Sequence, residues 1–471
     1  MQAEIGLIGL GTMGSNLALN IAEKGHDIAV FNRTTAKTGA FFEAAGALRS
    51  KIIPCTTLEE FVGAIRPPRP IILMINAGEP VDDQIEALKP LLSHDDILID
   101  GGNANFHDTI RRNLLLDGTG LNFIGMGVSG GEVGARHGPS IMVGGAQASY
   151  KRVEQVLLDI SAKYEGQACC AWLGENGAGH FVKTIHNGIE YADMQMIAEI
   201  YGIMRDGLGM QAKEMAPVFA GWNEGRLNSY LIEITAAVLD TEDAETGKPI
   251  VDIILDRAGQ KGTGRWSAIE AQQLGIPATG IEAAVAARSL SARKDEREAA
   301  EKAYGALGET LKRDAGPLED LELALLAGKI AAYAQGFAVM SGASGDYKWD
   351  LPLPEIARIW RAGCIIRSQF LSTIAEAFEG AEKESNLLLV PAFVEMMSEA
   401  QAGLRRVVAR AATAGLPVPA LSSALSYFDM YRQGRGTANL IQGQRDYFGA
   451  HSFERIDRPG AFHGPWAMNA G

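Results

Sequence analysis

Near its start the chain reads Glu4-Ile-Gly-Leu-Ile-Gly9-Leu-Gly11-Thr-Met-Gly14, followed by Asn16-Leu-Ala-Leu-Asn-Ile-Ala22. An apolar run of strand character ends in a glycine-rich turn, and a helical pattern opens at once. That context turns a weak Gly-x-Gly-x-x-Gly pattern into a dinucleotide-binding signature. Gly9 permits the tight turn, Gly11 lets the backbone approach a pyrophosphate, and Gly14 lets helix pack on strand. Leu10, Thr12 and Met13 complete the loop. The helix start offers free N–H groups and a positive dipole end to phosphates.

Outward from that loop, compact runs rich in branched apolar residues recur at 5–10, Ile28–Phe31, 71–75, Ile97–Asp100, 123–126 and 141–143. Helical patterns separate the early ones. This alternation predicts a parallel, doubly wound α/β sheet, a Rossmann-like domain over residues 1–178. Cofactor choice is read where the second strand ends. An acidic residue there would accept from a ribose 2′-hydroxyl, but the chain has Asn32-Arg33-Thr34. An amide, a guanidinium and a hydroxyl suit a 2′-phosphate, so NADP is expected over NAD.

Beyond residue 179 the strand signal fades into long Ala/Leu/Ile/Glu-rich segments, broken near 207–209, 259–264 and 351–354. An all-helical domain is expected over 179–433. Trp222-x-x-Gly225…Ser229 recurs as Trp360-x-x-Gly363…Ser368, which a duplicated helical unit or chance would equally produce. Residues 434–471 are rich in Gly, Arg, His and aromatics without helical periodicity, and read as an extended C-terminal tail that docks elsewhere.

The densest chemical signal opens the helical region. Lys183, His186, Asn187, Glu190 and Tyr191 fall at i, i+3, i+4, i+7 and i+8, one face of a helix. The opposite stripe, Val182, Ile185, Ile189 and Met196, is apolar. A base, an acid, an imidazole and an amide on a helix this apolar mark an active site rather than a solvated face.

Composition narrows the possibilities. The 471-residue chain is 47% hydrophobic and 21% charged, enough for two or three domains with cores of their own. A formal net charge of −14 speaks against nucleic-acid or anionic-membrane partners, so an anionic substrate needs a local cluster of cations. Four cysteines without Cys-x-x-Cys spacing fit a reducing compartment. The first strand pattern leaves no room for a signal peptide, and no stretch approaches 18 uninterrupted apolar residues. A soluble cytoplasmic protein without a bound metal is expected.

Longer motifs add a resemblance. The glycine loop, Val128-Ser129-Gly130-Gly131 and Gly177-x-Gly-x-x-x-Lys183 resemble the β-hydroxyacid dehydrogenases. Gly130-Gly-Glu-Val-Gly-Ala-Arg136, Gly138-Pro-Ser-Ile-Met, the Lys183–Tyr191 run, Gln260-Lys-Gly-Thr-Gly264 and Gln444-Arg-Asp-Tyr-Phe-Gly-Ala-His451 narrow it to the 6-phosphogluconate dehydrogenase family, over essentially the whole chain. Three positions depart from the family pattern: Gly11 stands for Ala, Val133 for a second Glu, and Asn76 for a Lys often found beside the nicotinamide.

The resemblance implies an NADP-dependent oxidoreductase of the pentose phosphate pathway and gluconate utilization. It would oxidise 6-phosphogluconate at C3, release CO₂ and protonate the enol to ribulose 5-phosphate. Lys183 is then the base, its pKa lowered by burial among other cations, and Glu190 the acid, its pKa raised by burial. Ser129 with the Gly130 and Gly131 N–H groups holds the carboxylate, and His186 and Asn187 bond hydroxyls or the cofactor amide. Lys261, Thr263, Arg288, Tyr191 and Arg445 take the phosphate, while Ile75, Asn76, Ala77 and Asn103 join the cofactor loops. Arg445 and His451 belong to a tail that in the family reaches the partner subunit, implying a homodimer with composite sites. The alternative is a non-decarboxylating β-hydroxyacid dehydrogenase, which would need neither Glu190 nor the phosphate set. A nucleotide-binding protein that has lost catalysis is a further one.

Overall fold

A computed structural model of the chain describes residues 2–260, 262–306, 311, 317–380 and 386–468. The N-terminal elements are β1 (Ile5–Ile8), α1 (Thr12–Glu23), β2 (Ile28–Phe31), α2 (Thr35–Ala44), β3 (Ile52–Cys55), α3 (Leu58–Ala64), β4 (Pro70–Leu73) and α4 (Glu79–Leu88). There follow β5 (Ile97–Asp100), α5 (Phe106–Leu116), β6 (Asn122–Val128), α6 (Gly131–His137), β7 (Ile141–Gly145) and α7 (Gln147–Ile160). A two-residue-a-side hairpin, β8 (Lys163–Tyr164) and β9 (Gln167–Ala168), precedes β10 (Cys170–Gly174).

Eight strands form one sheet in the order β10-β7-β6-β5-β4-β1-β2-β3. Its first six strands thus take the doubly wound order 3-2-1-4-5-6, which reverses between β1 and β4. Alternate strand residues enter opposite cores, as a period of two requires. Leu7, Val30, Ile72 and Ile99 fill one core, and Ile8, Ala29, Ile71 and Leu98 the other. Both faces are covered, which explains why these strands are continuously apolar.

The sheet is not wholly parallel, contrary to the expectation from sequence. β7 runs antiparallel to β6, with Val128 opposite Ile141. The reversal is closed by Ser129 N donating to Ser140 O at 3.0 Å. Strands β3 and β10 also escape a reading by apolar runs. Both are edges, and β3 carries Pro54, which an edge strand tolerates.

The helical part comprises α8 (Ala178–Gly202), a π-turn at Ile203–Gly207, α9 (Ala212–Asn223), α10 (Tyr230–Asp240), α11 (Ile250–Ile253), α12 (Thr263–Gln273), α13 (Thr279–Ser291) and α14 (Lys294–Tyr304). Then come α15 (Pro317–Asp346), α16 (Leu353–Ile359), α17 (Phe370–Gly380), α18 (Pro391–Thr413) and α19 (Pro419–Tyr431). Within α15, Leu318–Asp346 is long and apolar enough to cross a membrane, but 94% of its most apolar window lies inside the protein. It is the core helix of this region, tied to α8 by the buried Lys329–Asp193 pair at 2.5 Å. The repeated Trp-x-x-Gly…Ser pattern falls on two matching helix–turn–helix pieces, α9–α10 and α16–α17. Ser229 and Ser368 form an antiparallel bridge, and Tyr230 N donates to Arg367 O at 3.1 Å.

The chain divides into two compact units, Met1–Ala424 and Leu425–Gly471. The second is not extended throughout, as the sequence suggested. It holds α20 (Ala438–Gly449) and the short hairpin β11 (Phe453–Glu454) with β12 (Ala461–Phe462). Fully buried Asp446 organises it. One carboxylate oxygen accepts from Ser452 N at 2.9 Å and lies 2.6 Å from His463 Nδ1. The other accepts from Gly464 N at 2.9 Å and Trp466 Nε1 at 3.1 Å. The helix buries this acid while Leu440, Ile441, Tyr447 and Phe448 stay exposed, an inversion of the usual apolar stripe.

Candidate active site

Four loops meet where β1, β2, β4 and β5 end. Gly9 N donates to Phe31 O, Met74 N to Ile8 O and Gly101 N to Leu73 O, at 2.8–3.0 Å. These bonds knit together the Gly9–Gly14, Asn32–Thr34, Ile75–Ala77 and Gly101–Asn103 segments. Gly11 is the N-cap of α1. Among the described residues no side chain caps that helix, no acid lies in its first turn, and nothing lies within 4 Å of the position of a Cβ on Gly11. The open N–H groups and the clear approach fit a pyrophosphate. Asn32 also has a task within the fold. Its Oδ1 accepts from Leu10 N at 2.9 Å, so its amide braces the glycine loop. Arg33 and Thr34 beside it are exposed, as are Asn76, Ala77 and Asn103 along the same loops.

The next parallel strand, β6, ends at Val128 and delivers Ser129, Gly130 and Gly131. Gly130 has φ +103°, and a Cβ there would meet Gly363 O at 2.5 Å, so only glycine fits. Helix α8 starts against the same sheet. A Cβ on Gly179 would lie 2.5 Å from Gly144 N and 2.6 Å from Gly125 O, so glycine lets helix backbone touch strand backbone. One turn on, Lys183 meets the Ser129 turn. Val182, Ile185, Ile189 and Met196 lie buried on the opposite stripe.

Lys183 Nζ donates to Asn187 Oδ1 at 2.7 Å and Ser129 Oγ at 3.2 Å, and lies 3.3 Å from His186 Nδ1. His186 Nε2 is 3.3 Å from Ser129 Oγ. Asn187 Nδ2 donates to Thr263 Oγ1 at 2.7 Å, drawing the head of α12 into the group. Glu190 Oε2 stands 3.7 Å from His186 Nδ1. Arg288 from α13 lies 3.8 Å over the Tyr191 ring. The structure therefore brings Ser129, Lys183, His186, Asn187, Glu190, Tyr191, Thr263 and Arg288 together. Lys261 lies outside the described residues. Arg445 and His451 belong to the C-terminal unit, on α20 and just beyond it. Val133 sits on α6 with 69% exposure, so its departure from the family pattern faces solvent.

Burial sets the proton affinities. It lowers the Lys183 amine from its ordinary value, against the opposing pull of Glu190. The direction and burial as its cause are as expected, whereas the neighbouring groups that act on it, Glu190 and Cys364, oppose the shift and are not cations. Burial likewise raises the Glu190 carboxyl, against Lys183 and Arg288, with Asp193 adding to the rise. His186 is held well below its usual value by burial and then by the Lys183 charge, so the imidazole is neutral. The sequence reading missed the segment after α16. The Trp360 ring lies 5.4 Å from the His186 ring, edge to face, and Gly363 O backs Gly130. Buried Cys364 belongs to the same segment, its thiol pushed up to about 12 by desolvation. The repeated Trp-x-x-Gly pattern was the one available signal for it.

Comparison with known proteins agrees with this geometry. The family model for the NAD binding domain of 6-phosphogluconate dehydrogenase matches residues 4–174, and that for the 6-phosphogluconate dehydrogenase C-terminal domain matches residues 179–466. The chain is 50% identical to the NADP(+)-dependent, decarboxylating 6-phosphogluconate dehydrogenase of Bacillus subtilis strain 168, over 99% of each chain. It is 48% identical to the NAD(+)-dependent, decarboxylating enzyme of the same strain, over 99% of this chain and 100% of the relative. The solved 6-phosphogluconate dehydrogenase of Plasmodium falciparum, studied apo, with NADP+ and with 6-phosphogluconate, superposes with a TM-score of 0.94 at 41% identity. That match covers 98% of this chain and 100% of the other. With both family models matched in order and relatives near half identical along almost its full length, the chain belongs to the 6-phosphogluconate dehydrogenase family.

Proposed function

We propose that this chain oxidises and decarboxylates 6-phospho-D-gluconate to D-ribulose 5-phosphate and CO₂, with NADP as hydride acceptor. The observation that carries the reading is a desolvated amine and a desolvated carboxyl on one helix, beside the mouth of a dinucleotide crevice. When bound in the crevice, NADP takes the hydride from C3. Lys183, favoured in its neutral form by burial, accepts the C3 hydroxyl proton. Its ammonium then stabilises charge on the C3 oxygen while CO₂ leaves. Glu190, favoured in its protonated form, delivers a proton to the enol carbon from which CO₂ departed.

Ser129, Gly130 and Gly131 hold the carboxylate, His186 and Asn187 the sugar hydroxyls. Tyr191, Lys261, Thr263 and Arg288 take the phosphate, joined by Arg445 with His451 from the tail of a second subunit. In this division residues 1–178 bind the nucleotide, 179–433 the substrate and the dimer partner, and 434–471 form the reaching tail. Relatives of nearly equal identity are named for NADP+ and for NAD+, so preference rests on Asn32, Arg33 and Thr34, which suit a 2′-phosphate. The chain acts as a homodimer in the cytoplasm, without nucleic-acid or membrane partners. The test is a steady-state assay with 6-phosphogluconate against each cofactor, with released CO₂ measured. One CO₂ per NADPH is expected. Reduced cofactor without CO₂ would favour a non-decarboxylating β-hydroxyacid dehydrogenase.

A further inference from the structure

Glu270 is a carboxylate that the proposed chemistry does not use, yet its side chain is only 2% exposed. Both its oxygens are engaged. Tyr347 OH donates to Oε1 at 2.6 Å, and His107 Nε2 lies 3.2 Å from Oε2. The three residues come from three different elements: His107 from α5, Glu270 from α12 and Tyr347 from the stretch just after α15. Burying a carboxylate costs desolvation, and apolar packing would hold three helices at least as firmly. What a hydrogen-bonded carboxylate adds is a fixed direction.

The ends of the joined helices are functional. His107 stands four residues beyond Asn103, and its own N–H caps onto Asn105 Oδ1 at 3.0 Å, so it is tied to the exit of the cofactor loop. Its neighbour Phe106 packs edge-on against Phe181 of α8 and Tyr347, with centroids 5.2 and 5.5 Å apart. On α12, Glu270 lies seven residues from Thr263, hence on the same face two turns along. Thr263 accepts from Asn187, and Ser267, between them, packs on Gly188 of α8. A displacement of α5 at the nucleotide end therefore reaches α12 through one carboxylate.

We infer that Glu270, gripped by His107 and Tyr347, is a positioning strut that couples dinucleotide binding at the Gly101–Asn103 loop to sugar-phosphate binding at the head of α12. The inference rests on the reading of Thr263 as part of the phosphate site. Coupling of this kind is reciprocal, so each ligand tightens the other by the same factor.

The experiment is a fluorescence titration of NADPH, with and without saturating 6-phosphogluconate, a pair that cannot react. The native chain should bind NADPH about fivefold or more tighter when the sugar acid is present. In Glu270→Ala and in His107→Ala that ratio should fall toward one, while each separate affinity changes less than the ratio does. Glu270→Gln, which can still accept from Tyr347, should recover part of it. A ratio of one in the native chain, or an unchanged ratio in both alanine variants, overturns the strut. Thr263→Ala separates the two ideas. If it weakens 6-phosphogluconate binding while Glu270→Ala and His107→Ala both leave the ratio intact, the strut alone fails. If it leaves that affinity unchanged, the phosphate-site reading fails and the strut with it.

Discussion

The amine of Lys183 is surrounded by an amide oxygen, a hydroxyl and a neutral imidazole, none of which is a charged partner. A lysine so placed gives up its proton more readily than one in water. Lys183→Met should lower kcat by roughly 10²–10⁴-fold or more, with the substrate dissociation constant changed only a few-fold, as stopped-flow and titration would show. The pH profile follows from the two shifts. In the proposed mechanism, as pH falls Lys183 gains a proton and can no longer act as base. As pH rises, Glu190 loses the proton that the same mechanism has it donate. Burial moves the two limbs toward each other from their ordinary positions. Glu190→Gln should erase the alkaline limb of kcat/KM and keep the acid limb; an alkaline limb that survives would refute the assignment. Arg33→Asp should shift the NADP/NAD ratio of kcat/KM toward NAD by roughly tenfold or more. At this scale the sequence was highly legible where spacing carried the signal, as in the five polar positions of α8. It was silent where a side chain turns inward, as Asn32 does toward the glycine loop.

Elements were legible in proportion to how conventionally they bury their apolar residues. The six strands found from sequence are buried and branched, whereas β3 and β10 lie at edges where mixed composition is tolerated. Helix α20 was missed because its buried position is an acid and its apolar residues face outward. That acid makes a prediction of its own. The Gly464 N–H, the His463 ring and the Ser452 N–H hold the Asp446 carboxyl below its ordinary range. Its contribution to the C-terminal unit is therefore present above the ordinary carboxylate range and lost as pH falls through the lowered folded value. Asp446→Asn should likewise loosen the unit at neutral pH. Limited proteolysis of 425–471 in the full chain would show faster cleavage in both cases. Gly130→Ala should raise KM for 6-phosphogluconate, because the turn must shift to relieve the contact with Gly363 O.

For the whole molecule, the doubly wound sheet and the helical bulk followed from the alternation of patterns along the chain. The antiparallel β7 did not, since strand direction leaves no trace in composition when both faces are buried. Subunit arrangement is the largest proposal at this scale, and complementation tests it. Lys183→Met and Arg445→Ala chains are each expected to be nearly inactive. If the tail serves the opposite subunit, a mixed dimer holds one intact site and one doubly altered site. Equal mixing after dissociation and reassociation should then restore about a quarter of native activity. No restoration would place Arg445 in its own subunit's site or outside any.

The glycine contact that seats α8 on the sheet acts as a ruler. With Gly179 pressed between Gly144 and Gly125, the helix can neither slide nor rotate, and four residues of rise set where the amine arrives. Inserting a single alanine between Phe181 and Lys183 would turn everything downstream by roughly 100°. Lys183, His186 and Glu190 would leave the Ser129 turn together, each still present in the chain and none of them in register.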